Sequence, residues 1–387
     1  MSKQFQDSET AGREAAAQAL KASGTAKADI AILFASSIYD QAAMLKGVRA
    51  SLGETPVIGC TSAGSITGDG AQEQAVCVLA LRSDEGSFVP FKATGIGKDM
   101  RGAGKSLGEQ IKGAERPSHM AFLFSDALSG NGTELVRGVL EVTGHDFRLA
   151  GGAAGDDMNF KKTYQYYNDE VLTDAAVGFG MTEDISIAIG ADHGWKPIGN
   201  PRTVTKAAGT KLIELDGKPA FEIYRDYFEA RADEFKKALS LAAVSYPLGM
   251  KSPGVDELMI RVPLVVNDDG SIICGAEVIE GNEMYLMIGT LTSVLWAAEK
   301  TTETLIAQVP EAHRKVVFVS DCVARKILLG GRGGEEIALL KAIGGPQAQI
   351  FGFYSYGQIA PLRKPAKDIT TCDPGFYEQS ISISIFG

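Results

Sequence analysis

Short, continuous runs of apolar residues alternate along the chain with stretches whose apolar positions recur at helical spacing. The first run, residues 31–34, precedes the N-cap candidate Asp40 and a helical stretch that carries its apolar residues on one face. Gly53 ends that stretch, and a second apolar run begins at Val57. This order predicts a strand–helix–strand unit with parallel strands that are buried on both faces.

The same order of elements occurs three times in the sequence. The second copy starts at residue 121 and the third at residue 316, and a further apolar, strand-like run follows each copy. A glycine-rich insert at 330–334 lengthens the third copy. We therefore predict an internal duplication.

In every copy the second strand leads into glycine and other small residues, at 57–64, 149–156 and 350–357. Glycine permits close approach of the backbone, and small side chains leave space. We interpret the three strand ends as walls of one shared ligand pocket. The predicted ligand-binding residues at these strand ends are Cys60, Thr61, Ser62, Gly151, Gly152, Asp156, Tyr354, Tyr356 and Gln358.

The third copy carries the most polar of these strand ends. Tyr354 and Tyr356 alternate along one strand, so we expect their side chains to point to the same side, with Gln358 beside them. The alternative, which the sequence favours equally, is that both tyrosines belong to the core and that their hydroxyl groups are hydrogen-bonded within the protein. Arg325 precedes them in the same copy and is the candidate clamp for a ligand carboxylate.

The predicted fold class is α/β with mixed α and β elements. Repeated strand–helix–strand units are expected to form two mixed-sheet domains, one N-terminal and one C-terminal. An alanine-rich helix at 8–23 occupies a lead-in segment, 1–27. Strand patterning gives way to helix near Pro219, which places the domains at 28–219, with two copies, and at 220–387, with the third.

The composition is that of an ordinary globular protein, since 45% of the 387 residues are hydrophobic and 22% are charged. The net charge of -10 argues against nucleic acid and anionic membranes as partners, because both require a basic face. The first residues lack the apolar core of a signal peptide, and no apolar run is long enough to span a membrane. Five scattered cysteines are typical of free thiols, so we expect a cytoplasmic protein.

Two glycine-rich segments resemble phosphate-binding motifs incompletely. Residues 102–106 resemble the end of a P-loop, but Asp99 stands where the first glycine is required, and its carboxylate would repel a phosphate. A plain helix start is the simpler interpretation. Residues 151–155 lack the GxGxxG spacing and lead into polar residues, which argues against dinucleotide binding.

Two thiols are candidates for nucleophilic chemistry. Cys60 and Cys322 lie at predicted strand ends, but no histidine is near either of them in the sequence. We expect a protein without catalytic activity, and a cysteine-dependent enzyme is the alternative.

The four histidines are isolated, and neither HExxH nor paired cysteine spacing is present. His193 follows an apolar strand and precedes Trp195, and a single histidine suffices as the axial ligand of a non-covalently bound haem b. The alternative is a histidine that caps a turn, with Trp195 in the core.

Several distant segments together resemble the FIST family of sensory proteins, which carry an N-terminal and a C-terminal FIST domain. The resemblance rests on 57–64 with 66–68, 151–157, 192–199, 215–220, 320–325 and 352–360. These segments occur in the order of the family and cover the chain from about residue 28 to the C-terminus. The resemblance implies a FIST N-like domain over 28–219 and a FIST C-like domain over 220–387.

The resemblance also implies a function. FIST proteins are ligand-sensing modules of bacterial signal transduction, for which small molecules such as amino acids are proposed ligands. Chains with only these two domains are also similar to the NosP group, cytoplasmic haem proteins that sense nitric oxide and regulate a histidine kinase. The sequence contains no visible transmitter or kinase segment. We therefore expect a small-molecule ligand and a separate signalling partner, such as a histidine kinase.

Overall fold

The computed structural model describes residues 1–2, 7–24, 27–84, 86–116, 118–182 and 185–387. Residues 3–6, which belong to the N-terminal segment without a signal-peptide pattern, lie outside the described residues. In the described ranges, helices and strands build four β-sheets. No helix in these ranges has the length and apolar composition that crossing a membrane requires.

The elements form three repeated units and one insertion. Unit one comprises α1 (Ser8–Ser23), β1 (Ile30–Ala35), α2 (Gln41–Leu52), β2 (Val57–Thr61), β3 (Ser65–Thr67), β4 (Gly70–Gln72), β5 (Val76–Leu81) and β6 (Phe88–Thr94). Unit two comprises α3 (Met100–Gly113), β7 (Met120–Ser125), α4 (Gly132–Thr143), β8 (Arg148–Ala153), β9 (Gln165–Tyr167), β10 (Glu170–Leu172), β11 (Ala175–Met181) and β12 (Ile187–Asp192).

The insertion comprises β13 (Lys196–Ala208), β14 (Lys211–Leu215), β15 (Lys218–Pro219), α5 (Glu222–Phe228), α6 (Ala232–Lys237), α7 (Leu239–Ser245), β16 (Leu248–Lys251), β17 (Leu258–Arg261), β18 (Pro263–Val266), β19 (Ile272–Cys274) and β20 (Glu283–Ile288). Unit three comprises α8 (Leu291–Ile306), β21 (Val316–Cys322), α9 (Val323–Leu329), α10 (Gly333–Gly344), β22 (Gln349–Ser355), β23 (Gly357–Ile359), β24 (Phe376–Tyr377) and β25 (Ile381–Phe386).

All three units have the same central strand arrangement. In unit one, β1 pairs in parallel with β2 and antiparallel with β5. In unit two, β7 pairs in the same way with β8 and β11, and in unit three β21 does so with β22 and β25. This arrangement confirms the predicted α/β class and the repeated strand–helix–strand units.

The three units exchange strands in a closed ring. After its second parallel strand, each unit sends a hairpin to the sheet of another unit: β3 pairs with β22, β9 with β2, and β23 with β8. The last strands of units one and two cross over as well, because β6 pairs with β11 and β12 pairs with β25. Each sheet is therefore completed by a strand from a different unit, so we expect the units to fold together.

The repeated glycines occupy the same register in the three parallel ladders. The facing pairs are Gly59 with Leu33, Gly151 with Leu123, and Gly352 with Val319. A Cβ atom on any of these glycines would lie closer than 3.0 Å to the carbonyl oxygen of the facing residue. The glycines therefore let two strands approach each other closely. The interpretation that they leave space for a ligand is wrong, because the neighbouring backbone fills that space.

Aromatic side chains from all three units meet where the three sheets face one another. Phe34 of β1 stacks on Phe353 of β22 with ring centroids 4.2 Å apart, and it meets Phe124 of β7 edge-on at 5.4 Å. Phe122 meets Phe318 of β21 at 5.0 Å. Buried apolar side chains of the three sheets surround these rings. This shared core occupies the region where the sequence suggested a pocket.

Helix α3 shows why residues 102–106 are not a phosphate loop. The carboxylate of Asp99 caps the helix by accepting a hydrogen bond from the N–H of Gly102 at 2.8 Å. Gly104 faces α4, and a Cβ there would lie closer than 3.0 Å to the carbonyl oxygen of Leu135. The glycines of this segment therefore serve helix capping and close helix packing, as the simpler interpretation predicts.

The insertion forms an antiparallel sheet with the strand order β17-β16-β20-β13-β14-β19-β18, and β15 lies beside β14. Strands β13 and β14 precede Pro219, and they pair with β20 and β19, which follow it. The sheet thus takes strands from both sides of the predicted boundary. Its helix α7 and strand β18 face α9 of unit three across a cavity.

Candidate functional site

A cavity of about 240 Å³ lies where unit two, unit three and the insertion meet. Its walls are the loop after β7, the end of β8, the start of α4, helices α9 and α7, strand β18 and the segment between β24 and β25. We call it the α9 cavity. The carboxyl ends of β7, β8 and β21 meet there, and in α/β proteins such strand ends are common ligand sites.

The lining of the α9 cavity is mostly apolar, and part of it is exposed at the mouth. The exposed apolar lining residues are Leu128 (43%), Phe160 (61%), Leu264 (42%) and Ile327 (42%). Large apolar side chains that cluster at the surface mark ligand or interaction sites more often than isolated ones do. The mouth of the cavity therefore favours contact with an apolar group.

Glu378 supplies a carboxyl group to this cavity. It is only 6% exposed, and one of its oxygens accepts a hydrogen bond from the N–H of Val262 at 3.2 Å. The other oxygen lies against Gly275, where a Cβ atom would collide with it. Burial raises the pKa of Glu378 to about 7, although the nearby Arg261 opposes this effect. The carboxyl group therefore changes its charge close to neutral pH.

Gln379 supplies a buried acceptor with no partner. Its side chain is 0% exposed, and its Nε2 donates a hydrogen bond to the carbonyl oxygen of Ala243 on α7 at 2.8 Å. Because a carbonyl oxygen can only accept, this bond fixes the orientation of the amide. Its Oε1 has no hydrogen-bond partner among the described residues. Such a buried, unpaired acceptor costs about 1–3 kcal/mol, which a ligand donor would offset.

Tyr356 is the predicted ligand-binding residue that lines the cavity. Its hydroxyl donates to Asp156 at 2.6 Å, and its ring stacks on Phe160 at 4.5 Å. Burial and the bond to Asp156 raise the pKa of the Tyr356 hydroxyl. Burial alone would raise the pKa of Asp156, but Tyr356 and the N–H groups of residues 160–162 hold it below its usual range. Asp156 therefore fixes one wall of the cavity.

The two candidate nucleophiles occupy different places. Cys322 lines the α9 cavity, whereas Cys60 lies in the aromatic core between the sheets. Burial raises the pKa of Cys322 to about 11 and that of Cys60 well above its usual range. Because the thiolate is the nucleophilic form, neither thiol is activated at neutral pH.

Arg325 is fully buried and lies behind the cavity wall. Its guanidinium pairs with Asp321 at 2.8 Å and with Glu336, and it donates to the carbonyl oxygens of His193 at 2.9 Å and Val294 at 3.1 Å. These partners occupy the guanidinium, so the predicted role as a clamp for a ligand carboxylate does not fit. Arg325 instead joins α9 to α8, α10 and the start of the insertion.

His193 does not fit the predicted role of a haem ligand. Its Nδ1 accepts a hydrogen bond from the N–H of Trp195 at 2.9 Å, and its Nε2 donates to the carbonyl oxygen of Leu258 at 3.1 Å. Burial lowers the pKa of His193 to about 4, which keeps the ring neutral. Both nitrogens thus have partners, while Trp195 is 1% exposed. The geometry matches the alternative of a turn-capping histidine beside a core tryptophan.

The remaining predicted residues have structural contacts. Thr61 bonds the backbone of Tyr164 at 3.0 Å, and Gln358 bonds the hydroxyls of Ser355 and Ser380 at 2.8 and 2.9 Å. Tyr354 is buried beneath the ammonium group of Lys326. The others are Ser62, which is fully buried, and Gly151 and Gly152, which pair with strand β23.

The sequence interpretation missed Glu378 and Gln379. Neither belongs to a repeated glycine segment, and no motif marks them in the sequence. They form a site because Ala243 of α7 and Val262, which immediately precedes β18, are brought against them from far away in the chain. The only sequence signal is a polar pair between aromatic residues and the last apolar strand.

Two other hollows among the described residues lack this combination of features. One of about 330 Å³ lies between turns at 311–314 and 344–347, and most of its lining residues are exposed. Another, of about 50 Å³, lies between α4 and the segment after β23. We therefore take the α9 cavity, with its buried acceptors, as the candidate ligand site.

The fold and the cavity define a class of protein: an α/β chain of strand-exchanged units with a ligand-sized hollow between its two halves. The chain matches the FIST N domain over residues 29–218 and the FIST C domain over residues 220–361. It belongs to the FIST family, whose domains are sensory domains of signal transduction.

The relatives of the chain are similar over most of its length. An uncharacterized protein of Methanocaldococcus jannaschii is 24% identical over 325 residues, which are 77% of this chain and 60% of that protein. An uncharacterized protein of Mycobacterium tuberculosis strain H37Rv is 24% identical over 368 residues, or 92% of each chain. One of Mycobacterium bovis is 23% identical over 219 residues, 55% of this chain and 56% of that protein.

Proposed function

We propose that the protein is a non-catalytic sensor that binds a small molecule in the α9 cavity and regulates a separate signalling partner, such as a histidine kinase. The observation that carries this proposal is the cavity itself. Its apolar walls come from both FIST domains, and two buried acceptors, Glu378 and Gln379, face a lining that is otherwise mostly apolar.

Helix α9 is the element that would report ligand binding. Cys322, Val323, Ala324 and Ile327 line the cavity, so a bound ligand would contact this helix directly. Lys326, which precedes Ile327 in the helix, donates to the carbonyl oxygen of Ala63 at 2.7 Å and pairs with Glu73 of unit one at 2.6 Å. If the ligand binds more tightly when α9 occupies one position than another, binding changes the fraction of molecules in which Lys326 makes these two contacts.

The test is to close the cavity without touching the core. Ser240 is an exposed residue of α7 that lines the cavity, so Ser240→Trp should place an indole at its mouth. Leu241→Trp is the matched control, because Leu241 is 66% exposed on the same helix and is not part of the lining. A small-molecule library is screened by thermal shift against the wild type and both variants.

We expect ligands that raise the melting temperature of the wild type and of Leu241→Trp but not that of Ser240→Trp, because binding stabilises the folded state. Equal stabilisation of both variants would place the ligand site elsewhere and refute the proposal.

The partner is tested separately. Autophosphorylation of a candidate histidine kinase is measured with the protein alone, with the protein and its stabilising ligand, and with Ser240→Trp and the ligand. A ligand effect on the kinase that disappears with Ser240→Trp supports the regulatory role. A kinase rate that is the same in all three mixtures contradicts regulation of that kinase.

A further inference from the structure

Glu378 and Gln379 contribute buried acceptor atoms to the lining of the α9 cavity. The free oxygen of Gln379 is fully buried, and the carboxyl group of Glu378 is 6% exposed. The other carboxylate of the lining, Asp126, already has partners: it accepts from the N–H of Leu128 at 2.9 Å and from the hydroxyl of Thr163 at 2.8 Å. The unfilled hydrogen-bonding capacity at Glu378 and Gln379 therefore requires a donor.

In the part of the chain that the structure describes, no lysine, arginine or histidine forms an ion pair with Glu378. The guanidinium of Arg261 acts on Glu378 by lowering its pKa, but it pairs with Asp373 at 2.6 Å and also donates to the carbonyl oxygens of Ile260 and Glu277. The lining of the cavity contains no lysine, arginine or histidine among the described residues. A buried carboxyl group without a paired cation takes up a proton, so a cation that pairs with the ionised form of Glu378 would be supplied by a ligand.

The two acceptor residues of the lining are buried, whereas several of its large apolar side chains are exposed. Glu378 and Gln379 are buried, whereas the apolar side chains of Phe160, Leu264 and Ile327 are more than 40% exposed at the mouth. A ligand that satisfies both regions has a donor at its buried end and an apolar body toward the surface. An ammonium group suits the buried end, because it offers three donors and a positive charge.

We propose that the α9 cavity binds an amphipathic primary amine, whose ammonium group donates to the Glu378 carboxylate and to Oε1 of Gln379, and whose apolar body lies against Phe160, Leu264 and Ile327. This inference rests on the proposed sensory function and specifies the chemical class of its ligand.

The same geometry disfavours an α-amino acid. Its carboxylate would enter a lining that already holds Glu378 and offers no cationic side chain, and like charges at close range repel each other. The amine without a carboxylate therefore binds more tightly than the corresponding amino acid, and a carboxylic acid of the same size binds most weakly.

The test compares three compounds of the same shape by isothermal titration calorimetry: 2-phenylethylamine, phenylalanine and 3-phenylpropionate. Each is titrated into the wild type, Glu378→Gln and Glu283→Gln. Glu378→Gln keeps the shape of the side chain and an oxygen for the N–H of Val262, so the fold is preserved. Glu283→Gln is the matched control, because Glu283 is exposed on β20 and lies outside the cavity.

We expect 2-phenylethylamine to bind at least tenfold more tightly than either other compound, and Glu378→Gln to weaken it at least tenfold while Glu283→Gln leaves it unchanged. In the wild type its affinity should rise between pH 6 and pH 8, because Glu378 ionises over this range while the amine stays charged. The other groups that face Glu378 are Arg261, Asp373 and the thiols of Cys274 and Cys322. In Glu378→Gln this pH dependence should vanish.

Two results overturn this inference: no amine binding by the wild type, or amine binding that Glu378→Gln leaves unchanged. Failure of the proposed sensory function looks different. If phenylalanine, 3-phenylpropionate or a library compound binds and Ser240→Trp blocks it, the α9 cavity is a ligand site and only the amine assignment is wrong. If Ser240→Trp blocks no ligand, the cavity itself is not the sensory site.

Discussion

Single buried polar residues decide how the two halves of this chain are held together. Arg325 is the clearest case, because its guanidinium joins Asp321, Glu336 and two backbone carbonyl oxygens from other elements. Burial and the neighbouring Glu336 raise the pKa of Asp321 well above its usual range, and Arg325 is shared by these two acidic residues. Its role is structural, although the sequence pattern equally permitted a ligand clamp.

Replacing Arg325 tests that role. Arg325→Ala should lower the free energy of unfolding by about 3–5 kcal/mol, because it leaves buried carboxyl and carbonyl groups without their partner. Urea denaturation gives the value. Arg332→Ala is the control, since the Arg332–Glu335 pair is exposed and should contribute little. An Arg325→Ala protein that is as stable as the control would contradict the structural role.

Glu378 makes the stability of the protein depend on pH. Its pKa in the folded chain, about 7, is raised above the usual 4.5, so the folded state holds a proton that the unfolded state has lost between these values. The contribution of Glu378 to stability is therefore complete below about pH 4.5 and is lost as the pH rises through 7. The shift corresponds to at most roughly 3 kcal/mol.

The variant Glu378→Gln removes this titration. Relative to the wild type, it should gain stability between pH 5 and pH 8, up to the same magnitude of roughly 3 kcal/mol. Urea midpoints at the two pH values, with Glu283→Gln as the control, measure the difference. If the wild type and Glu378→Gln change in parallel with pH, the carboxyl group is not held protonated by its surroundings.

At the scale of elements, the repeated glycines allow neighbouring strands to pack closely. Each of Gly59, Gly151 and Gly352 allows the second parallel strand of its unit to approach the first. The same effect operates between helices, where a Cβ on Gly47 or Gly138 would meet the backbone of the partner helix. The repeat thus preserves a packing contact, which is why the pattern recurs without forming three ligand sites.

Alanine at these strand glycines should be destabilising. Gly59→Ala, Gly151→Ala and Gly352→Ala each place a Cβ against a carbonyl oxygen of the facing strand, so we expect losses of about 1–3 kcal/mol or more in the free energy of unfolding. Gly113→Ala is the control, because no atom lies within 4 Å of the added Cβ. A thermal melt in which the strand variants match Gly113→Ala would show that the strands have room to separate.

The elements themselves could be predicted from the sequence because their signals are local. The helix over 8–23, the cap at Asp40 and the three strand–helix–strand copies follow from periodicity and capping chemistry, and the structure has them in those places. The exchange of hairpins between units could not be predicted, because it depends on which distant strands pair. Glycine-bearing strand ends suggest a pocket or close packing equally well, and only the neighbouring backbone distinguishes the two.

At the scale of the whole molecule, the candidate site forms where segments that are distant in the sequence come together. Tyr356 was accessible to sequence reasoning because it lies in a repeated segment, and the structure places it in the cavity wall. Glu378 and Gln379 are held in the cavity wall by hydrogen bonds with Val262 and Ala243, which belong to the insertion. The insertion thus converts one of three similar strand-end regions into a cavity.

The central claim is that the ligand occupies the α9 cavity and not the repeated glycine strand ends, and two native thiols report on these places. Cys322 lines the cavity, whereas Cys60 lies in β2 within the core. The direct measurement is the rate of alkylation of each thiol by iodoacetamide at pH 8.5, followed by mass spectrometry, with and without saturating stabilising ligand. We expect the ligand to slow labelling of Cys322 selectively, by tenfold or more. Selective protection of Cys60, with Cys322 labelled at its original rate, would contradict the account.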